Sequence, residues 1–173
     1  MMTRVRAAWL AALLACASGP AIGADEPPTQ LSGTLQKINA TGAVTIGYRE
    51  SSVPFSFTSS RGEPIGYSID LCRLVVDSIV GTIGKPVDIR WRPVTSESRI
   101  AAVTSGDVDL ECGSTTSNLE RQRQVAFSPI IFVSGTRLMV KRASTIASFR
   151  DLGGKRVVTT AGTKNAKALE TLK

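Results

Sequence analysis

Asp109-Leu110-Glu111-Cys112-Gly113-Ser114-Thr115-Thr116-Ser117-Asn118-Leu119-Glu120-Arg121 passes from a short apolar-alternating run, through a glycine and a string of hydroxyls, to the start of a helix. Ser117 and Glu120 have the S-x-x-E spacing of a capping box, which puts a helix N-terminus beside Ser114 and Thr116. Such a terminus offers unpaired N–H groups and the positive end of a dipole, which suit a carboxylate or phosphate. Arg121, one turn in, adds a cation able to bind in two-pronged fashion. The stretch reads as a pocket for a small anion at the junction of a strand and a helix.

Outward from it, strands and helices alternate. A helix through Leu35 and Ile38 ends at Gly42, and residues 44–48 form a strand with Val44, Ile46 and Tyr48 on one face. Residues 49–60 read as loop. A helix starts at Ser68 or Asp70 with the apolar stripe Leu71, Leu74, Val75, Ile79 and Ile83, and Gly84-Lys85-Pro86 stops it. Val87, Ile89 and Trp91 alternate as a strand. A helix over 98–105 follows a cap at Thr95 or Ser96, and residues 108–112 make a further strand. Strand-like runs follow at 125–133 and 137–141, then a turn of helix at 149–152, a strand at 156–160 and a helix opening at Lys164 or Asn165. This alternation predicts an α/β sheet with covered faces. In such folds ligands gather where loops leave the carboxyl ends of strands. Four loops qualify, at 49–57, 95–99, 113–121 and 160–164, all rich in hydroxyls, glycine or arginine.

The chain has 173 residues, a formal charge of +7 and no histidine. Arg4 and Arg6 precede a small-apolar run over 7–15, and Ala21-Ile22-Gly23-Ala24 supplies small residues for cleavage. Residues 1–24 are therefore expected to be a secretory signal peptide, and the Pro-rich residues 25–34 a flexible leader. Leu13-Leu14-Ala15-Cys16 resembles a lipobox, but plain cleavage near Gly23 or Ala24 is favoured over lipidation at Cys16. Loss of residues 1–24, with two arginines and no acid, lowers the formal charge from +7 to +5. The remaining cations are spread out rather than interleaved with aromatics, which argues against nucleic acid as a partner and for anionic solutes. Export permits a disulfide between Cys72 and Cys112, yet Cys72 falls on an apolar stripe, where a buried free thiol is the expectation. Without CxxC spacing or histidine, neither structural zinc nor a Cys-His nucleophile is expected. The chain stops inside a predicted helix, so an incomplete second unit is expected.

Gly47-Tyr48-Arg49-Glu50-Ser51-Ser52-Val53-Pro54-Phe55-Ser56, Gly66-Tyr67-Ser68-Ile69-Asp70-Leu71, Thr95-Ser96-Glu97-Ser98-Arg99-Ile100, the opening thirteen residues and Phe132-Val133-Ser134-Gly135-Thr136-Arg137 closely resemble the periplasmic solute-binding proteins of polar amino-acid uptake systems (family 3). The glutamate/aspartate-binding branch is the nearest match. The resemblance covers about residues 35–173. It implies a type II periplasmic-binding-protein-like α/β fold of two lobes, with the first lobe over 35–135 (lacking its C-terminal return), a hinge crossing over 136–141 and the start of a second lobe over 142–173. It also implies a monomeric, cofactor-free, non-enzymatic binding component of an ABC importer, which holds glutamate or aspartate and delivers it to membrane permease subunits.

Carried over position by position, the resemblance assigns ligand contacts to Arg49, Ser96, Arg99, Ser114, Thr116 and Arg121, with Thr163 and Thr160 contributing from the second lobe. Arg121 with the Ser114–Thr116 loop would clamp the α-carboxylate. Arg49 and Arg99 compete for the side-chain carboxylate, with Ser96 assisting. Lys164 departs from the branch, where a hydroxyl residue is usual. Two other readings stay open: an enzyme on the same scaffold, a dehydratase of cyclic acids with Glu111 as its acid or base, and a ligand-binding sensor module. Glu111 and Asp109, two residues apart at a strand end, can also be read as an acid pair.

Overall fold

Val44, Ile46 and Tyr48 alternate with Ala43, Thr45 and Gly47, a pattern that serves a strand with something to bury on each side. The computed structural model describes residues 30–171. Along the chain run α1 (Gly33–Thr41), β1 (Ala43–Tyr48), β2 (Ser51–Ser52), β3 (Ser56–Thr58), β4 (Pro64–Ile65), α2 (Tyr67–Ile83), β5 (Asp88–Pro93), α3 (Arg99–Thr104), β6 (Leu110–Cys112), α4 (Leu119–Gln122), a 3₁₀ turn (Phe149–Leu152) and α5 (Lys164–Glu170). The expected signal peptide, with Cys16, and residues 25–29 of the leader lie outside the described residues, while Gly33 and Thr34 at the leader's end already belong to α1.

β1 pairs in parallel with β5 from Ala43↔Asp88 to Tyr48↔Pro93, and with β6 from Ile46↔Leu110 to Tyr48↔Cys112. The result is a three-stranded sheet in the order β5-β1-β6. Parallel neighbours need crossovers, which α2 and α3 supply. On one face Val44, Ile46 and Tyr48 pack with Ile38 of α1, Ile69 and Val76 of α2 and Cys112 of β6. On the other, a Cβ on Gly47 would lie 3.4 Å from Val94 and Val108, and these pack with Ala102 of α3. Val44, Ile46 and Ile69 are wholly buried, and each such side chain contributes about 1.5–3 kcal/mol.

Polar clamps fix the sheet's neighbours. α1 stops at Gly42, whose φ of +66° places it in the left-handed region and lets its N–H reach the Ile38 carbonyl at 2.8 Å. The Asp109 carboxylate accepts from the Thr45 N–H at 2.9 Å and from Lys37 Nζ at 2.9 Å, tying β1 and α1 to the start of β6. Asp109 is thus committed to structure and does not form an acid pair with Glu111.

The structure corrects several expectations. Residues 49–60 are not plain loop: β2, β3 and β4 form an antiparallel meander, with Ser51↔Phe57 and Phe57↔Ile65 in register. α2 buries Ile69 and Val76, with Cys72, Ile79, Val80 and Ile83 packed alongside, whereas Leu74 and Val75 of the expected stripe are exposed. Its rotation agrees with a bond the sequence left open. Cys72 is joined to Cys112 on β6, with their Cα atoms 6.3 Å apart, so it is not a free thiol. The runs at 125–133, 137–141 and 156–160 are not strands among the described residues. Ile130, Val133, Met139 and Val158 there are largely exposed, and an alternating sequence without a partner ladder does not make a strand.

The disulfide closes a loop of 40 residues in sequence separation, which the chain-entropy treatment equates with about 4 kcal/mol. Reduction, or replacement of both cysteines by serine, is expected to lower the denaturation midpoint accordingly. An unchanged midpoint with and without reductant would refute the bond's stabilising role.

Candidate functional site

Because β1, β5 and β6 run parallel, the loops that leave their carboxyl ends emerge on one edge. Arg49 follows β1 directly. Its N–H donates to Ser56 Oγ at 2.9 Å, and the same hydroxyl donates back to the Arg49 carbonyl at 3.2 Å. Ser56 is completely buried, so this pair of bonds fixes the backbone from which the guanidinium projects. Arg49 Nη1 then donates to Ser96 Oγ at 2.8 Å.

After β5, Thr95 and Ser98 bond each other reciprocally across the turn that leads into α3. The Ser98 N–H donates to Thr95 Oγ1 and the Thr95 N–H to Ser98 Oγ, each at 3.0 Å. The N-cap position of α3 is Ser98 and not the expected Thr95 or Ser96; Thr95 closes the preceding turn, and Ser96 is left for Arg49. This turn sets Arg99 at the start of α3, where it is only 3% exposed. Its Nε and Nη1 are buried with no hydrogen-bond partner. Burial pulls the Arg99 pKa down to about 10, with Arg121 and Arg49 pushing the same way and Glu111 opposing them.

Glu111 lies between the two core-facing residues of β6. Its Oε2 accepts from Thr115 Oγ1 at 2.8 Å, while Oε1 is buried without a partner. Burial raises its pKa above the ordinary carboxylate value, against the Thr115 hydrogen bond and the charges of Arg99, Arg49 and Arg121. A Cβ on Gly113 would lie 2.4 Å from Glu111 Oε1 and 2.9 Å from Arg49 Cγ, so both side chains flank one point that only glycine leaves open. Ser68, in the first turn of α2, donates to the Gly113 carbonyl at 2.8 Å and fixes that loop from the other side.

The cap of α4 is Asn118 and not Ser117: Asn118 Oδ1 accepts the Arg121 N–H at 3.0 Å. Ser117 Oγ accepts instead from Gln122 Nε2, and Glu120 turns away from the helix start to Lys164 at 2.8 Å and Lys167 at 3.4 Å. The expected capping box is therefore absent, displaced by one residue and by two competing lysines. Arg121 donates from Nη1 to the Thr116 carbonyl at 3.1 Å and from Nη2 to the Gly162 carbonyl at 3.2 Å. Ser114 and Thr116 are exposed on the loop.

Residues 160–164 follow no strand, yet they reach the same edge. Gly162, at φ +68°, packs so closely on Glu97 that a Cβ would lie 2.7 Å from Glu97 Cγ. Thr163 caps α5, accepting the Ala166 N–H at 3.2 Å and donating to the Thr160 carbonyl at 2.6 Å. The structure thus gathers Arg49, Ser96, Arg99 and Arg121, sets Ser114 and Thr116 on the rim, and engages Thr160 and Thr163 with each other. Thr115, Ser56 and Asn118 are the site residues that sequence reasoning did not assign, and Glu111 was read there only as the acid or base of the dehydratase alternative or as half of an acid pair. The signal for Glu111 was the alternation itself, since Cys112 faces the core beneath α2 and Glu111 must face away. Among the described residues there is no cluster of three or more metal-ligating side chains. Converging guanidinium groups with unspent donors are suited to hold one or two carboxylates.

The profile of the bacterial extracellular solute-binding proteins, family 3, matches residues 44–172. The chain is 49% identical over 145 residues to an L-glutamate/L-aspartate-binding protein of Pseudomonas aeruginosa, covering 83% of this chain and 48% of that protein. It is 43% identical over 150 residues to a glutamate/aspartate import solute-binding protein of Salmonella typhimurium, covering 86% and 50%. The chain therefore spans about half the length of these relatives. Among solved structures, an ancestral amino acid-binding protein described as a precursor of cyclohexadienyl dehydratase superposes with a TM-score of 0.72 at 28% identity, covering 81% of this chain and 61% of that one.

A buried cation with unspent donors and like-charged neighbours is held against its own electrostatics. Arg99→Met, which keeps the volume, is expected to leave the thermal stability of the ligand-free protein unchanged or raised. A loss of more than about 2 kcal/mol, measured by denaturant titration, would instead make Arg99 a structural residue.

Proposed function

Because the chain belongs to the bacterial extracellular solute-binding proteins, family 3, we propose that it is the ligand-binding part of an extracytoplasmic receptor for glutamate or aspartate. The receptor acts without catalysis, as a monomer, and hands its ligand to the membrane permease subunits of an ABC importer. The observation that carries this reading is Arg99, buried, with two nitrogens unpartnered, beside Arg49 and Arg121. A dicarboxylic amino acid supplies two carboxylates, which satisfy such donors and offset the mutual repulsion of the three cations.

In this reading Arg121, with Ser114 and Thr116 on its loop, holds the α-carboxylate. Arg49 and Arg99 hold the side-chain carboxylate, with the Ser96 hydroxyl keeping the Arg49 guanidinium in place. Thr160 and Thr163 close the site from the opposite segment. The first lobe then corresponds to residues 35–135, the crossing to 136–141 and the beginning of the second lobe to 142–173. Lys164, where the branch usually has a hydroxyl residue, is paired with Glu120 at 2.8 Å. The names of the relatives in Pseudomonas aeruginosa and Salmonella typhimurium support the choice of acidic amino acids.

Calorimetric titration of the full-length protein is expected to give binding of L-glutamate or L-aspartate at micromolar concentration. Arg121→Ala is expected to weaken it by about 2–5 kcal/mol, because a desolvated carboxylate loses its partner. No binding of either acid to the wild type would reject the specificity.

A further inference from the structure

Glu111 is a buried acid among the cations of the site, and the ligand contacts proposed above give it no part. Its neighbour Cys112 is fixed to α2 by the disulfide, so residue 111 projects to the opposite face of β6. The charged groups acting on it are Arg49 from the end of β1, Arg99 from α3 and Arg121 from α4, and the Thr115 hydroxyl of its own loop donates to Oε2. Among the described residues the ion pairs join Lys37 to Asp109, Arg92 to Asp107, and Glu120 to Lys164 and Lys167; none engages Glu111. Oε1 is buried and unpartnered, next to the stem of Arg49 across Gly113. The carboxyl is therefore near enough to the arginines to feel their charge, yet it is not locked to any of them.

We propose that Glu111 is a positioning residue acting as a proton-linked counter-charge: its carboxylate balances Arg49, Arg99 and Arg121 in the ligand-free protein, and it takes up a proton when a ligand carboxylate assumes that role. The proposal rests on the anion-binding reading of the arginines. Burial already holds Glu111 above the ordinary carboxylate value. A ligand carboxylate brings a second negative charge into the same cluster and raises it further. Binding then absorbs protons. Affinity is highest below the ligand-free pKa of Glu111 and falls, by at most about tenfold per pH unit, until the liganded pKa is passed. The same raised pKa acts on folding. Its contribution to stability is greatest below the ordinary carboxylate value and is lost as pH rises through the folded value.

Two measurements on the full-length protein test this. Calorimetry with L-glutamate in two buffers of contrasting ionisation enthalpy is expected to show proton uptake by the wild type and none by Glu111→Gln. The affinity of Glu111→Gln should also be level with pH. Thr115→Val, which removes the hydrogen bond that favours the ionised form, should move the falling limb to higher pH. Equal uptake in wild type and Glu111→Gln, or a limb that Thr115→Val leaves in place, would overturn the proposal. The second measurement needs no ligand. The melting temperature of the wild type minus that of Glu111→Gln should decline as pH rises above the ordinary carboxylate value of about 4.5, and a level difference would also overturn it. If glutamate fails to bind while this decline is present, the acidic-amino-acid reading and the ligand-linked proton uptake both fall, and only the buried, titrating state of Glu111 in the ligand-free protein stands.

Discussion

Parallel pairing on both flanks of β1 is the constraint from which the rest of the structure follows. Backbone bonds to β5 over six residues and to β6 over three force all three strands to point the same way. Three segments that are distant in sequence must then leave the sheet at one edge, each carrying an arginine. The order β5-β1-β6 also requires crossovers, and these become the helices that cover both faces. Burial of Val44 and Ile46 on one side, and close packing over Gly47 on the other, make the central strand hard to shift. A slip of one residue would exchange those faces. The sheet thus acts as a rigid platform, and the positions of Arg49, Arg99 and Arg121 are consequences of its register.

On that platform the electrostatics run against stability. Three guanidinium groups share an edge, one of them buried with unspent donors, and a lone carboxyl without an ion-pair partner stands among them. Left to themselves, such groups favour exposure to water, because desolvation exceeds what an imperfect pair returns. They are retained by local devices that do not depend on the charges. The Ser56 hydroxyl holds both backbone groups of Arg49, the reciprocal Thr95–Ser98 bonds hold the turn into α3, and Ser68 holds Gly113. Neutral hydrogen bonds and apolar packing thus carry a charged arrangement that would otherwise relax, which is the balance expected where a preorganised ligand site is kept at the expense of stability.

The parts of the fold legible in the sequence were those decided locally. β1 and β5 stood out because alternation over five or more residues has few other readings, and Gly42 and Gly84 ended their helices where expected, both in the left-handed region. Arg49, Ser96, Arg99 and Arg121 were placed by the resemblance of their loops, and the structure brings them to one edge. What failed was decided by tertiary context. α2 carries apolar residues around much of its circumference, so its inward face is the one consistent with the Cys72–Cys112 bond and the sheet below rather than with the stripe through Leu74 and Val75. Ser117 and Asn118 are both competent caps, and the turn after Gly113 presents Asn118. The runs at 125–133 and 156–160 have strand-like patterns, but pairing depends on a neighbour that no local pattern reveals.

The segment at 160–164 shows how weak and strong contacts divide their roles at the rim. The pairs of Glu120 with Lys164 and Lys167 are exposed, and contacts of that kind contribute about 0–1 kcal/mol each and fade with salt. They can steer the segment but do not fix it. Steric fit is the stricter term, because at Gly162 any side chain would meet Glu97 at 2.7 Å and would also have to adopt a φ of +68°. The hydrogen bond from Arg121 to the Gly162 carbonyl exists only while that approach is preserved. Arg121 is therefore shared between the loop after β6 and the segment at 160–164. The seating of this segment and the orientation of the Arg121 guanidinium are thus linked through one hydrogen bond and one close steric fit.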